Sequence, residues 1–301
     1  MPGPPWDRPS LDRYRLVMES TRSAGGMNSI SCANELWHSR RVCASMGPMR
    51  LIVTGTGDAF SNSRFGSSSL IETPKGFIAI DCPGSPLMMY KQAALSTGLD
   101  VDPAAIHDII VTHLHCDHAG GIETLAFYRK YIAPGGGRPG LWAAPAVMER
   151  MWERLAPSMD GRQFGEEPKS KLEDYFAPGL LSVEHAVDLA GLQVRARWTR
   201  HSVPTVGLLI SDGDSTLGWS GDTEFEKAHV EWLSEADLII HECGQAAKHA
   251  RLEELMTLPS ELQEKIKLIH VPDGADFPSS PMERLSDGDV LDIKTAVRET
   301  T

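Results

Sequence analysis

A six-residue run, His-Leu-His-Cys-Asp-His at residues 113–118, concentrates side chains that bind metal ions. It holds three imidazoles and one carboxylate, and it comes directly after the apolar residues 109–111. Neutral imidazole is a common zinc ligand, and a neighbouring carboxylate can support the same ion or bind a second one. Four ligand-type residues within six are too dense for isolated surface or core histidines. The run therefore predicts a metal centre.

The spacing within this run indicates how many ions it serves. Side chains alternate between the two faces of a strand, so His113, His115, Asp117 and His118 cannot all face one ion from a regular strand. We therefore expect the run on a loop that curls as it leaves a strand. Such a loop would divide its ligands between two neighbouring ions.

Three later residues are candidate ligands because each follows a predicted strand, as the first run does. They are His201 in TRHSVPTVG, Asp222 in WSGDT and His270 in KLIHVPDG. Asp222 alone could instead cap a helix, although Gly221 before it allows the backbone to turn closely. The occurrence of all three after the histidine run favours metal binding.

Composition limits the kind of partner. The 301 residues are 41% hydrophobic and 23% charged, which is typical of a globular protein with a sizeable core. The net charge of −12 argues against a polyanionic partner, since nucleic-acid binding relies on clustered cations. Nucleic acid is therefore disfavoured. The one dense basic group, Arg195, Arg197 and Arg200, could be a solvated strand face or could bind a substrate phosphate.

Cysteine usage and apolar runs indicate the compartment. The five cysteines are odd in number and lack paired close spacing, so they predict no disulfide framework. No apolar run approaches the roughly 20 residues of a membrane span, and the amino terminus has no basic and apolar leader pattern. We expect a cytoplasmic protein with no membrane partner.

The chain divides at residue 49. Residues 1–48 are rich in Pro, Ser, Arg and Gly and are expected to be a disordered extension, whereas residues 49–301 are expected to form one domain. Strands alternate with helices in this domain, which indicates an α/β architecture of two sheets covered by helices on both sides. Residues 156–179 are expected to be irregular or only partly helical, and a segment of this kind beside a metal site often forms a lid or pocket wall. The predicted strands are residues 51–53, 68–72, 76–80, 108–112, 141–143, 181–184, 192–199, 205–211, 215–220, 238–241 and 268–271, and the predicted helices are residues 85–97, 122–131, 146–155, 224–234, 252–256 and 260–267.

The order of these residues resembles that of the metallo-β-lactamase-fold hydrolase superfamily over residues 49–274. The resemblance implies a four-layer αββα sandwich with two zinc ions, although manganese or iron could occupy the same ligands. It implies that Asp222 bridges the ions and that Asp81 supports the metal loop without binding metal. The ligands implied for one ion are His113, His115 and His201, and those for the other are Asp117, His118 and His270.

Two ions of this kind can share a hydroxide and stabilise charge on a substrate oxygen, which suits hydrolysis. The strings TGTGDAF, RHSVPTVG and ADLIIHEC are similar to those of the ribonuclease Z and phosphodiesterase branch. In that branch a His-Glu pair protonates the leaving oxygen, so the implied catalytic residues are Asp117, His241 as general acid and Glu242 as its orienting partner. The branch usually continues Ala-Thr where this chain has Cys243 and Gly244. The histidines outside the motif pattern, which we assign to the surface or the core, are His107, His185, His229 and His249.

A second departure concerns the substrate. Common short ribonuclease Z enzymes carry a basic arm between the third histidine and the bridging aspartate, but here 20 residues form a predicted hairpin around Gly213. This favours a small phosphodiester such as a cyclic nucleotide over tRNA 3′-end cleavage. The alternatives are a carboxylic ester, lactone or thioester hydrolase and a non-catalytic metal-binding scaffold. Dimerisation is common in the resembling branch, so a homodimer is possible.

Overall fold

The computed structural model describes residues 49–161, 169–275 and 280–293. The predicted extension, residues 1–48, lies outside the described residues. Within the described part, the strands form two sheets of seven strands each. The strands of the first sheet are β1 (Met49–Gly55), β2 (Ser68–Thr73), β3 (Gly76–Ile80), β4 (Ile106–Val111), β5 (Gly140–Ala143), β6 (Ala177–Leu180) and β14 (Val290–Ile293). Those of the second are β7 (Val187–Leu189), β8 (Leu192–Trp198), β9 (Val206–Ser211), β10 (Thr216–Trp219), β11 (Leu238–Glu242), β12 (Ile266–Ile269) and β13 (Glu283–Arg284).

The first sheet has the strand order β14-β1-β2-β3-β4-β5-β6 and the second has the order β13-β12-β11-β10-β9-β8-β7. None of the helices in the described ranges is long and apolar enough to cross a membrane. The helices are α1 (Pro86–Thr97), α2 (Cys116–Ala119), α3 (Ile122–Phe127), α4 (Pro145–Met159), α5 (Lys227–Leu233), α6 (Leu252–Leu255) and α7 (Ser260–Lys265).

The core lies between the two sheets. One apolar cluster joins Ile80 and Ile110 of the first sheet to Ile210 and Trp219 of the second. A smaller cluster packs the opposite face of the second sheet, with Leu209, against α5. Strands covered on both faces are nearly continuously apolar, as β4 is at its carboxyl end. The predicted four-layer αββα sandwich is confirmed.

Parallel strand pairs bring the site together. Strands β3, β4 and β5 are parallel neighbours in the first sheet, and β10, β11 and β12 are parallel neighbours in the second. Polar residues follow the carboxyl ends of several of these strands, where open α/β sheets bind their ligands. They are Asp81 after β3, His113 after β4, Asp222 after β10, Glu242 at the end of β11 and His270 after β12.

The structure differs from the predicted elements mainly at sheet edges. Strand β6 lies at residues 177–180 rather than 181–184, because its Pro178 and Gly179 are typical of turns yet tolerated on an edge strand. Helix α5 begins at Lys227 rather than at 224, since Glu226 before it is extended. The predicted hairpin between His201 and Asp222 is confirmed as the antiparallel pair β9–β10.

Candidate active site

The histidine run spans the junction between a strand and a short helix. His113 follows β4, and His115 is the extended residue immediately before α2. Asp117 and His118 lie in the first turn of α2 and are buried. The expected curling loop is therefore completed by a helical turn, which carries Asp117 and His118. This local geometry separates the four side chains into two groups.

The first group consists of three histidines, whose ring nitrogens converge, and Asp222. Nδ1 of His115 lies 3.1 Å from Nε2 of His113 and 3.1 Å from Nε2 of His201. Oδ2 of Asp222 lies 3.6 Å from Nε2 of His113 and 3.7 Å from Nε2 of His201. Because these ligand atoms all lie within 4.8 Å of one another, the four residues can surround one ion.

The second group consists of Asp117, His118, Asp222 and His270. Nε2 of His118 lies 3.3 Å from Oδ1 of Asp222 and 3.4 Å from Oδ2 of Asp117. Nε2 of His270 lies 3.1 Å from Oδ2 of Asp117 and 3.5 Å from Oδ2 of Asp222. All seven residues that the sequence predicts as ligands are thus brought together, with Asp222 common to both groups.

The turn at Gly221 places Asp222 between the groups. Gly221 has φ 59°, in the left-handed region, and a Cβ there would collide with the carbonyl oxygen of Val206. Only glycine adopts such a conformation without strain. The Asp222 side chain therefore reaches the cluster from a turn rather than from a helix terminus. Residue 222 is not a helix cap, since α5 begins at Lys227.

Asp81 orients the imidazole of His118 through its Nδ1 atom. Oδ2 of Asp81 accepts a hydrogen bond from Nδ1 of His118 at 2.8 Å, and Oδ1 accepts one from the backbone N–H of Thr112 at 2.8 Å. Asp81 and His270 adopt left-handed φ values of 62° and 58°, which are strained for residues with a Cβ. Backbone strain of this kind concentrates at functional sites. The arrangement matches the supporting role that the family resemblance implies for Asp81.

The charges of the cluster are interdependent. Burial lowers the pKa of His201 to about 4 and that of His113 well below its ordinary value. Burial alone would also lower the pKa of His270, but Asp222 and Asp117 outweigh it and raise this pKa to about 9. Burial acts to raise the pKa of Asp222, yet His118, His270 and His113 together hold it well below the ordinary range. The carboxylate of Asp222 is therefore ionised.

The donor set fits divalent cations. Nε2 of His118 is buried and forms no hydrogen bond within the described residues, although two carboxylate oxygens face it. Imidazole nitrogens and carboxylate oxygens directed at one point are the ligands that zinc prefers. The same oxygen and nitrogen set also suits manganese and iron.

The histidine that lies beside both Glu242 and the ligand cluster is His249, not the predicted His241. Nδ1 of His249 lies 3.0 Å from both carboxylate oxygens of Glu242 and 3.9 Å from Oδ2 of Asp222. The ring of His249 stacks on that of His270 with centroids 5.0 Å apart. Burial alone would lower the pKa of His249, but the hydrogen bond to Glu242 and the negative charges of Glu242 and Asp222 together outweigh it and raise this pKa.

His241 lies on the opposite face of β11 from Glu242, because adjacent strand residues alternate. Its Nδ1 is bonded to the carbonyl oxygen of Glu242, and its charge would act on His229 rather than on the cluster. The predicted general-acid role of His241 therefore has no geometric support, and the carboxylate of Glu242, predicted to orient His241, instead contacts His249. The backbone N–H of Thr223 donates to Oε1 of Glu242 at 2.6 Å and fixes that carboxylate.

Gly244 makes room for His249. A Cβ at Gly244 would lie 2.6 Å from Cβ of His249 and 2.9 Å from its Cγ. The glycine that departs from the usual Ala-Thr continuation is therefore the residue that allows His249 to approach Glu242. Sequence reasoning assigned His249 to the surface or core, and this Gly244 departure is the signal that could have identified it.

Arg64 connects the loop after β1 to the loop that carries His270. Its guanidinium donates to the carbonyl oxygen of Val271 at 2.6 Å and to Asp273 at 2.6 Å. It also donates to the carbonyl oxygen of Thr56. These contacts fix the backbone immediately after His270, where its left-handed φ must be maintained.

Comparisons with known proteins agree with this geometry. A family model described as Anti-Pycsar protein Apyc1 matches residues 49–283. A relative of that name from Saccharibacillus brassicae is 33% identical over 238 residues, which cover 76% of this chain and 92% of the relative. A second, from Bacillus phage 010DV004, is 28% identical over 243 residues, which cover 76% of this chain and 91% of the relative.

A solved structure shares the fold at low sequence identity. The metallo-β-lactamase fold protein YhfI from Bacillus subtilis matches with a TM-score of 0.65 and 17% identity, covering 81% of this chain and 99% of that chain. The resemblance to the metallo-β-lactamase-fold superfamily is therefore confirmed. Since the family model spans most of the described sandwich and all of the candidate ligands, the chain belongs to the family of Anti-Pycsar protein Apyc1.

Proposed function

We propose that this protein is a dinuclear metal-dependent phosphodiesterase that hydrolyses a small phosphodiester such as a cyclic nucleotide. The observation that carries the proposal is the position of Asp222 between two groups of ligand atoms, each compact enough for one ion. Zinc is the ion we expect, because imidazole and carboxylate ligands predominate. Two bound ions would supply an activated water and would stabilise charge on the phosphoryl oxygens.

The chain's own residues support the leaving-group step. His249 lies at the edge of the cluster with its Nδ1 bonded to Glu242, which leaves Nε2 as the atom that can deliver a proton. The pKa of His249 is raised by Glu242 and Asp222, which favours the protonated imidazole that a general acid requires. A protonated imidazole suits the departure of an alkoxide, whose own basicity is too high to leave unassisted. We assign His249 as the general acid and Glu242 as the residue that orients it.

The size and charge of the molecule favour a small substrate. The short β9–β10 hairpin occupies the place of the tRNA-binding arm, and the net charge of −12 opposes binding of a long polyanion. The second candidate function is hydrolysis of a carboxylic ester, lactone or thioester. It would use the same ligands, but it would not require an ordered His249–Glu242 pair, so the pair favours the phosphodiester.

The experiment is a rate measurement on bis(p-nitrophenyl) phosphate with zinc- or manganese-loaded protein. Asp222→Ala is the control, because it removes the residue common to both groups while leaving the sheets intact. We expect turnover by the wild type that is lost in Asp222→Ala. Fully metallated wild-type protein that hydrolyses carboxylic esters or lactones and not this phosphodiester would overturn the proposal.

A further inference from the structure

Three charged residues lie close in the chain to His201, Asp222 and His249. Arg200 immediately precedes His201, Lys248 immediately precedes His249, and Glu224 follows Asp222 by two residues. Glu224 forms ion pairs with both cations, with Lys248 Nζ and with Arg200 Nε, the latter at 3.4 Å. We call Arg200, Glu224 and Lys248 the charged rim.

The backbone of the charged rim belongs to the scaffold of the site. The N–H of Glu224 donates to the carbonyl oxygen of Arg200 at 2.8 Å. Nδ1 of His201 donates to the carbonyl oxygen of Lys248 at 3.1 Å, which directs its Nε2 toward the ligand cluster. The backbones of the three charged residues are therefore held beside the first group of ligands.

The charges of the rim do not balance. The side chains of Arg200 and Lys248 are 59% and 52% exposed. Within the described residues, the carboxylate of Glu224 forms an ion pair with each of them. Two cations with one anion leave a net charge of +1 facing solvent. The protein as a whole carries −12, so this local positive charge is opposite in sign to its surroundings. Arg195, from the same basic stretch, instead pairs with Glu235 on an exposed strand face.

The backbone and the side chain of Lys248 can be considered separately. Lys248 has φ 74°, in the left-handed region that glycine adopts without strain. Because His201 contacts only the carbonyl oxygen of Lys248, the ammonium group takes no part in that contact.

We propose that the charged rim selects the substrate by charge, with Lys248 and Arg200 attracting a small anionic phosphodiester in preference to a neutral ester. This inference rests on the proposed function. The cations act on substrate capture rather than on bond cleavage, since they stand outside the ligand cluster. Cationic groups at an entrance raise the local concentration of anions and do so less at high salt.

The test uses variants whose charge changes have opposite signs. Lys248→Gly removes the ammonium group while keeping the carbonyl oxygen that His201 needs, and Arg200→Gln removes the second cation. Each is expected to raise KM for bis(p-nitrophenyl) phosphate about two- to fivefold at low salt with kcat retained, because a unit charge interacts only weakly through water. Glu224→Gln removes the anion and is expected to lower KM. A purely structural role would instead harm all three variants alike.

Two controls complete the design. Lys227→Gln removes an exposed cation that pairs with Glu231 on α5, and it is expected to leave KM unchanged. The neutral ester p-nitrophenyl acetate is expected to show no dependence on any rim charge. The inference would be overturned if KM for the phosphodiester did not depend on whether a positive or a negative charge had been removed. Binding of inorganic phosphate, measured by titration calorimetry, separates this inference from the proposed function. If phosphate affinity changes with the rim charge but the protein does not hydrolyse the phosphodiester, the charge selection by the rim stands and the proposed function is rejected.

Discussion

Oδ2 of Asp81 accepts a hydrogen bond from Nδ1 of His118 at 2.8 Å, and this contact fixes which ring nitrogen of His118 faces Asp222. Because Nδ1 carries the proton, Nε2 presents its lone pair to the cluster. Both residues are buried, and Thr112 donates to the same carboxylate from the strand end. The orientation of His118, a predicted ligand, is therefore set by Asp81, which belongs to neither ligand group.

Asp81→Asn is expected to weaken metal binding about 10- to 100-fold, because an amide has one acceptor oxygen where the carboxylate serves both His118 and Thr112. The measurement is competition for zinc against a chromophoric chelator at constant pH. Asp292→Asn is the matched control, since Asp292 makes an exposed ion pair with Arg50 far from the cluster. Equal zinc affinity in the two variants would contradict the orienting role of Asp81.

Replacement of His249 is expected to have an effect that depends on the leaving group. His249→Ala should slow hydrolysis of a phosphodiester with an alkoxide leaving group about 10²- to 10⁴-fold, because the alkoxide needs a proton. Loss of p-nitrophenolate, which leaves without protonation, should change much less. The check is the ratio of the two rates in single-substrate assays.

His241→Gln is the matched control for this experiment, because His241 is the histidine that sequence reasoning favoured. We expect its leaving-group ratio to equal that of the wild type, with thermal unfolding monitored to confirm folding. A changed ratio in His241→Gln and an unchanged one in His249→Ala would instead make His241 the general acid.

Arg64→Lys is expected to weaken the group of ligands that contains His270 more than the group that contains His201. A lysine offers a single ammonium group, so it cannot replace the forked contacts to Val271 and Asp273. The bound metal, measured by elemental analysis after dialysis, should fall by about half as one of two sites empties. In Arg195→Lys, whose arginine pairs with Glu235 at an exposed position, the metal content should stay at the wild-type value.

Stability of the metal-free protein is expected to fall below about pH 6.5 in part because of His229. Burial lowers the pKa of His229 from 6.5 to about 3, so the native state keeps this imidazole neutral while the unfolded state binds a proton. The contribution is fully present above the unfolded pKa and is lost at about 1.4 kcal/mol per pH unit as the pH falls toward the folded value. Urea unfolding between about pH 5 and about pH 7 measures this slope.

His229→Gln should have a shallower dependence of unfolding free energy on pH than the wild type, by about that amount per unit. His185→Gln, at an exposed position, should keep the wild-type dependence. Identical slopes for the wild type and His229→Gln would mean that His229 takes up a proton in the native state.

The sequence by itself determined the candidate ligand set. Ligand chemistry is a property of residue type, and the dense 113–118 run, followed by His201, Asp222 and His270 after strands, is a pattern that metal binding requires and packing does not. The alternation of strands and helices likewise predicted two sheets covered by helices, because burial on both faces requires it.

Only the tertiary structure decided which histidine accompanies Glu242. Residues 242 and 249 are joined by a loop whose course depends on Gly244, on the left-handed Lys248 and on the hydrogen bond from His201 to the Lys248 carbonyl. Gly244 is visible in the sequence as a departure from the usual Ala-Thr continuation, but the contacts themselves have no period or spacing that the sequence reveals. The charged rim arises in the same way, since its three residues come from separate loops that meet only when the carboxyl ends of parallel strands are aligned.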